Sequence, residues 1–478
     1  MPIIIPANSA AGGGGYEVTN SARFNPASND RLTRTPSSDG SRVKWTWSCW
    51  AKRGTDNQDL YLFGAYQNSS YNTFLKFASG GEIRFADVYG GSEQARINTL
   101  AKFRDPSAWY HIVVVYDKDN STSTDRLIMY VNGVRITQFD GSTMSSQSTT
   151  FNTANIQVQI GALNGDGDMN GYMSEICFVN NQALAPTSFG EFDEDSGIWK
   201  PIKSVADLTF GTNGFYMDFK DSSELGNDAA GSNNYAEVNM TALNQSTDTC
   251  TLNGCTMNPL SNYWTNGAEF SFGNLQINTN TSGKAWNMST IGLPSGKWYM
   301  EGKYTATGGS APSDNWNRFG IVDREPTSNS DLGASANAYA LTQYDGSKYV
   351  NGTNSTYAAA WAIGDVIAMA IDLDNNKIYW SKNGAWGNGS GAWGSTTFNA
   401  GTGAVTVVDP TLTLNGEYFV AMGDAGVNVK KTWQFNFGSP PYAISSGNQD
   451  GNDYGNFEYA VPSGFLTINS ANLSEELS

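Results

Sequence analysis

The chain has 478 residues, of which 39% are hydrophobic and 13% aromatic, a composition that supports sizeable cores and predicts two or three domains. Its formal net charge of −17 gives a surface that repels nucleic acid and anionic lipid, so we expect no nucleic-acid binding. No stretch approaches the ~18 consecutive apolar residues that a membrane-spanning helix needs.

The first 20 residues form a separate predicted element. They combine PIIIP with small residues and four consecutive glycines, a composition typical of a flexible arm that docks on a partner. The start also lacks a basic segment before its short apolar run, so we expect a protein made in the cytoplasm without a secretory signal.

Residues 21–202 predict an antiparallel β-sandwich. Short alternating strands follow one another between turns, as in KWTWSCWAKR and EIRFADVY. The segment 109–134, WYHIVVVYDKDNSTSTDRLIMYVNGV, predicts two paired strands followed by a tight turn at Asn132-Gly133, since both residues tolerate positive φ.

The remaining chain predicts an irregular linker and a second β-sandwich. Residues 203–259 lose regular alternation, although FGTNGFYMDFKD could pair as one strand and its aromatics indicate docking. Residues 260–470 alternate again, and GDVIAMAIDLDNNKIYWSKNGAW repeats the design of the earlier hairpin, ending at Asn383-Gly384. Residues 471–478 are expected to form a frayed polar tail. The predicted fold class is therefore all-β, with two jelly-roll-like domains, a linker and an N-terminal arm.

The four cysteines do not form a disulfide framework. Cys49 and Cys177 stand in apolar strands and are expected to be buried. Cys250 and Cys255 form C-x4-C in a loop, either as a local disulfide or, as we favour, as two free thiols. The single histidine is far away in sequence, which argues against a zinc site.

The first domain resembles the laminin-G or concanavalin A-like lectin family. The resemblance rests on WYHIV at 109–113, LIMYVNG at 127–133 and GYMSEI at 171–176. The second domain resembles the SPRY family through an ordered series of segments. These are GKWYME at 296–301, RFGI at 318–321, GDVI at 364–367, IDLD at 371–374, IYWSKNG at 378–384 and FNFG at 435–438.

The layout of the whole chain resembles virion proteins of tailed bacteriophages. The concanavalin-like module ends in ALAPTSFGEFDEDSGIWKPI, and the SPRY-like module ends in YAVPSGFLTINSANL. This resemblance implies a structural virion protein that leaves the cell by lysis and contacts other virion proteins through its N-terminal arm. Because virion appendages are often trimeric, it also implies a homo-oligomer.

Catalytic chemistry finds little support in the sequence. His111 opens an alternating strand, which favours a structural role over that of a catalytic base. Laminarinase-like glycosidases of the concanavalin fold carry E-x-D-x-x-E on one strand, whereas the nearest match here, from Glu191 through Asp193, ends in Ser196. We therefore predict no catalytic residues and no enzyme, and keep a concanavalin-fold glycoside hydrolase as a second alternative.

A calcium site is a further hypothesis for the first domain. Asn164, Asp166 and Asp168 place hard oxygen ligands in one loop, and concanavalin-like domains often bind calcium in loops. The spacing is not that of an EF-hand, and a plain hairpin turn explains the same residues. No other cofactor is predicted.

Five aromatic residues of the second domain are predicted to bind a ligand. They stand among polar or glycine-rich residues, and loops on a rigid β scaffold commonly carry recognition. They are Trp316, Tyr344, Tyr349, Trp386 and Trp393. The alternative is packing against neighbouring loops. Tryptophans within strand patterns are instead expected in the cores, namely Trp45, Trp47, Trp298, Trp380 and Trp433.

These features favour a non-enzymatic virion protein, with a tail-fibre-like or receptor-binding role that recognises a host surface glycan or protein. A capsid head decoration protein is the first alternative, since no coiled coil or β-helical repeat typical of fibres is present. A cellular interaction module is less favoured, because no signalling or ligase domain accompanies the SPRY-like segment.

Overall fold

A computed structural model describes residues 15–144, 148–165, 169–261, 268–279, 285–307, 316–325, 330–424 and 431–476. The chain divides into two compact units. The N-terminal unit ends at Asn253 and the C-terminal unit begins at Gly254, with Ser271–Gly273 grouped with the former. No helix in these ranges is long and apolar enough to cross a bilayer.

The N-terminal unit consists of short antiparallel strands. They are β1 Ser21–Phe24, β2 Arg31–Arg34, β3 Lys44–Arg53, β4 Leu60–Asn68, β5 Tyr71–Phe77, β6 Ile83–Tyr89, β7 Ser92–Thr99, β8 Trp109–Asp117, β9 Leu127–Val131, β10 Val134–Arg135, β11 Phe139–Met144, β12 Val158–Ile160, β13 Gly171–Asn180, β14 Gly190–Phe192, β15 Trp199–Pro201, β16 Phe215–Met217, β17 Ala236–Val238 and β18 Gln245–Ser246. Single 3₁₀ turns lie at Pro26–Ser28, Ser123–Asp125, Pro186–Ser188, Lys203–Asp207 and Ala242–Asn244.

Two sheets enclose the core of this unit. One has the order β10-β9-β8-β3-β13-β1-β18, with β16 also paired to β13, and the other runs β11-β7-β6-β5-β4-β12-β2-β17. Alternate residues of each strand point inward, so Trp45, Trp47 and Phe63 meet Phe178 in one apolar cluster. The predicted all-β sandwich is confirmed for this unit.

Residues 203–253, expected from sequence as a linker, supply three of these strands. β16 pairs with β13, β17 with β2 and β18 with β1. Each pairing covers a strand whose hydrogen-bonding edge would otherwise be open. The strands are only two or three residues long, which is too short for sequence alternation to reveal them.

The C-terminal unit has a second set of strands and one short helix. They are β19 Glu269–Ser271, β20 Gln276–Thr279, β21 Ala285–Leu293, β22 Lys297–Thr307, β23 Asn317–Val322, β24 Tyr339–Thr342, β25 Lys348–Val350, β26 Thr353–Ser355, β27 Val366–Asp372, β28 Lys377–Lys382, β29 Ala385–Trp386, β30 Val405–Thr406, β31 Tyr418–Asp424, β32 Lys431–Asn436, β33 Leu466–Thr467 and α1 Ser470–Glu476. A 3₁₀ turn lies at Pro410–Leu412.

Two sheets again face each other. One has the order β19-β20-β32-β22-β27-β28-β29, with β30 beside β28 and β33 parallel to β22; the other runs β21-β31-β23-β24-β25-β26. Trp298, Trp380 and Trp433 are fully buried between them. The prediction that the strand tryptophans form the cores is confirmed in both units.

Residues 471–476 of the segment expected to form a frayed tail instead belong to α1, and residues 477–478 lie outside the described residues. Asn469 caps it, because its Oδ1 accepts the backbone N–H of Asn472 at 2.9 Å. Asn472 is fully buried and Leu473 packs against the core. A seven-residue helix has too few apolar positions for its periodicity to stand out in the sequence.

The last residues of the predicted N-terminal arm that the structure describes are docked. Val18 is buried, and its backbone N–H and C=O both hydrogen-bond to Thr251 Oγ1, at 3.0 and 3.1 Å. Residues 1–14 lie outside the described residues. All four cysteines are buried free thiols, as favoured for Cys250 and Cys255.

Candidate binding surface

Two of the five predicted ligand-binding aromatics form a stacked pair. The ring centroids of Trp316 and Tyr344 are 5.1 Å apart and their planes are inclined by 20°. Trp316 immediately precedes β23 and Tyr344 lies just after β24, and these neighbouring strands pair Arg318 with Thr342. Sheet register therefore brings the rings together, and Tyr344 keeps 44% of its surface exposed.

The turn that carries Tyr344 is held by hydrogen bonds at both ends. The N–H of Thr342 donates to the carbonyl of Ser347 at 2.8 Å, and that of Gly346 donates back to Thr342 at 3.1 Å. Asp345 Oδ1 accepts both the backbone N–H and the hydroxyl of Ser347. Tyr344 is thus presented on a pre-ordered turn, against which the ring of Trp316 stacks.

Tyr349 lies on the same sheet but is engaged internally. The guanidinium carbon of Arg318 lies 3.9 Å from its ring centroid, a cation–π contact. Arg318 also forms an ion pair with Asp331 at 3.2 Å and donates to the Leu332 carbonyl, and burial lowers its pKa. We assign Tyr349 to the support of this sheet.

Trp386 ends β29 and Trp393 lies in the loop that follows, and the two pack against different apolar clusters. Trp386 is only 8% exposed and lies with Tyr299 and Tyr379, on the face of its sheet opposite the core. Trp393 is half-buried against the core, and its Nε1 donates to the Ala359 carbonyl at 2.9 Å. The structure therefore does not gather the five aromatics into one site.

Sequence reasoning missed Phe398 in this region. Its ring meets that of Trp386 edge-on at 4.9 Å, and both line a cavity beneath the loop. An aromatic residue within the polar run GSTTFNAGTG was the feature that could have found it.

The calcium hypothesis remains a prediction. Asn164 lies in a turn with φ of 54°, while Asp166 and Asp168 fall outside the described residues. Within the described ranges, no group of three or more His, Cys, Asp or Glu side chains could hold a metal ion.

His111 is buried inside the N-terminal unit with both ring nitrogens engaged. Nδ1 accepts the indole N–H of Trp199 at 2.9 Å, so Nε2 carries the proton and donates to Ser48 Oγ at 2.9 Å. Burial lowers the pKa of His111 to about 3, which keeps the ring neutral at physiological pH. This geometry agrees with the structural role expected for this histidine.

The acidic segment weighed as a glycosidase site forms a hairpin. Glu191 lies on β14, and its carboxylate and that of Asp193 both contact Lys200, at 3.5 and 3.0 Å. Asp193 Oδ1 also caps the turn by accepting the backbone N–H of Ser196, and these contacts lower its pKa. Both carboxylates are engaged in local contacts of this turn.

Comparison with known proteins bears on the fold. A family model described as the Concanavalin A-like lectin/glucanases superfamily matches residues 26–187. The N-terminal unit has a concanavalin A-like fold. No curated protein sequence matches the chain.

Similar solved structures include the SPRY domain of human HERC1, at 14% identity over 37% of this chain and 96% of that one, with a TM-score of 0.28. A pentraxin from Limulus polyphemus is 18% identical over 36% of this chain and 80% of that one, with a TM-score of 0.27. A Bacteroides ovatus protein, provisionally described as carbohydrate-binding, is 15% identical over 47% of this chain and 58% of that one, with a TM-score of 0.32.

Proposed function

We propose that this protein is a non-enzymatic, glycan-binding component of a tailed-phage virion, and that Trp316 and Tyr344 contact the glycan. The observation that carries the proposal is the stacked pair of rings, of which Tyr344 is exposed on a pre-ordered turn. Sugar rings bind aromatic faces through their C–H groups, and two neighbouring rings offer more apolar area than either ring alone.

The virion setting is supported by the layout of the chain. A concanavalin-like module followed by a SPRY-like module resembles the layout of phage virion proteins. A tail-fibre-like, receptor-binding position is the one that requires glycan recognition. A capsid decoration protein needs assembly contacts but no such recognition.

Glycan binding is tested with the full chain on a glycan array, followed by titration of any ligand found. We expect Trp316→Ala and Tyr344→Ala each to weaken binding about tenfold, because each removes one ring of the pair. Tyr89→Ala is the matched control, since Tyr89 is also a half-exposed tyrosine with an aromatic neighbour but lies in the N-terminal unit. Unchanged affinity in both variants would exclude this surface.

The virion setting is tested by mass spectrometry and immunogold labelling of purified particles of the phage that encodes the chain. Label at the tail is the expected result. Label over the capsid would favour the decoration alternative, and absence from the particle would overturn the virion setting.

A further inference from the structure

A cavity of about 340 Å³ lies between the loop after β29 and the segment that precedes β30. Its volume falls within the range of about 300–1,000 Å³ that is usual for small-ligand sites. The residues that line it are Trp386, Asn388, Gly394, Ser395, Thr397, Phe398, Asn399 and Thr402. None of them is charged, so the cavity offers a neutral ligand polar partners but gives an acidic ligand no cationic partner.

One wall is apolar and rigid. The rings of Trp386 and Phe398 are inclined by 72°. Phe398 is in turn held by the rings of Tyr379 and Phe465, at 5.0 and 5.3 Å. This wall is anchored in the buried cluster on the sheet and does not depend on the loop alone.

The other walls carry amides and hydroxyls. Asn388 Oδ1 accepts the backbone N–H groups of Ser390 and Ala392, at 2.7 and 3.2 Å, which fixes the amide. The Nδ2 group of Asn388 has no protein partner within the described part of the chain. Within the described residues, the side chains of Asn399 and Thr402 also have no protein hydrogen-bond partner. Three neutral polar groups are therefore available to a ligand.

The cavity is pre-formed by close approach of backbones. A Cβ at Gly403, where φ is +68°, would lie 2.0 Å from the Gly387 carbonyl oxygen, so only glycine fits there. The N–H of Trp386 donates to the Ser395 carbonyl at 2.9 Å, and that of Gly401 donates to Tyr379 Oη at 3.1 Å. A pre-formed site loses less entropy when a ligand binds.

We infer that this cavity binds one neutral pyranose residue of a glycan. Its C–H face would lie against Phe398 and the small exposed part of Trp386. Its hydroxyl groups would bond to Asn388, Asn399 and Thr402. The inference deepens the proposed glycan binding by adding a pocket that selects neutral over acidic sugars, separate from the stacked pair.

The test measures binding of four neutral sugars to the full chain by saturation-transfer NMR and calorimetric titration. The sugars are glucose, galactose, N-acetylglucosamine and N-acetylgalactosamine. Glucuronate and N-acetylneuraminate serve as acidic probes. We expect at least one neutral sugar to bind and both acids to fail. If none of the neutral sugars binds, or if the acids bind equally well, the inference is overturned.

Two conservative variants locate the site. Asn388→Asp keeps the Oδ1 acceptor that orders the turn but replaces the Nδ2 donor with an anionic oxygen, and Thr402→Val removes a hydroxyl at constant volume. Each is expected to weaken neutral-sugar binding about tenfold. Thr396→Val is the matched control, because Thr396 is exposed in the same loop and does not line the cavity. Binding that is unaffected by both variants would refute the pocket.

The two sites can fail separately. Loss of sugar binding in Trp316→Ala, with full binding in Asn388→Asp and Thr402→Val, would overturn the pocket and leave the proposed function standing. The reverse pattern would support the pocket and exclude the stacked pair.

Discussion

Glu175 is a buried acid at an irregular point of β13. Its φ is +51°, and the register of β13 against β3 shifts between Ser174 and Cys177. Its Oε2 accepts the phenolic O–H of Tyr216 at 2.7 Å. Burial is the main cause that raises the pKa of Glu175 to about 7; Asp218 raises it further and Lys220 opposes this.

This raised pKa predicts how stability depends on pH. The folded state holds the proton more tightly than the unfolded chain, whose carboxyl has an ordinary pKa of 4.5. The contribution of Glu175 to the free energy of unfolding is therefore complete below pH 4.5 and is lost as the pH rises through 7. The shift corresponds to about 3 kcal/mol.

Glu175→Gln should remove this pH dependence, because glutamine stays neutral. Urea unfolding between pH 5 and 8 measures it: we expect the wild-type protein to lose stability relative to the variant as the pH rises. Glu191→Gln, in an exposed hairpin, is the control. Parallel pH profiles of the wild type and Glu175→Gln would refute the prediction.

Which aromatics would be exposed was only partly predictable. Trp316 and Tyr344 stand among polar residues, and Tyr344 is indeed exposed. Trp386 stands in a glycine-rich run but is buried, because Phe398 and the buried cluster on the sheet cover it. That outcome depends on contacts with distant segments, which local composition does not encode.

At the level of elements, the two Asn-Gly turns form as the sequence predicts. Asn132 and Gly133 connect β9 to β10 with φ of 48° and 76°, and Asn383 and Gly384 connect β28 to β29 with φ of 47° and 79°. These positive φ values are those of the tight turn that suits the twist of a hairpin. Local sequence is sufficient here because the turn depends on just two residues.

Glycine is also required at position 133 because a neighbouring ring leaves no room for a side chain, which the sequence does not show. A Cβ there would lie 2.2 Å from the Trp199 ring, whereas one at Gly90, with φ of +63°, would meet nothing within 4 Å. Gly90→Ala should therefore cost about 1 kcal/mol of stability through backbone strain alone. Gly133→Ala should cost at least about 1 kcal/mol more through overpacking. Equal losses in thermal or urea unfolding would contradict this account.

At the level of the whole molecule, the boundary of the N-terminal unit is decided by contacts that the sequence leaves hidden. Lys52 on β3 is 1% exposed, and its Nζ lies 2.8 Å from Asp248 Oδ2 and 2.8 Å from Asn253 Oδ1. Asp248 also accepts the indole N–H of Trp109 at 3.0 Å. These partners come from the segment that sequence alternation assigns to a linker.

Truncation tests this boundary. A chain ending at Ile202 lacks β16, β17 and β18, and its Lys52 has lost Asp248 as a partner. Removing one partner of a buried ion pair lowers the free energy of unfolding by about 3–5 kcal/mol. We expect this chain to aggregate or to lack a cooperative transition, whereas one ending at Asn253 should unfold cooperatively. Near-ultraviolet circular dichroism and thermal melts are measured for both truncated chains. The full-length variant Asp248→Asn separates the loss of the ion pair from the loss of the strands. A cooperative melt of the shorter chain at the temperature of the longer one would place the boundary at Ile202, because the later strands would then add nothing to the fold.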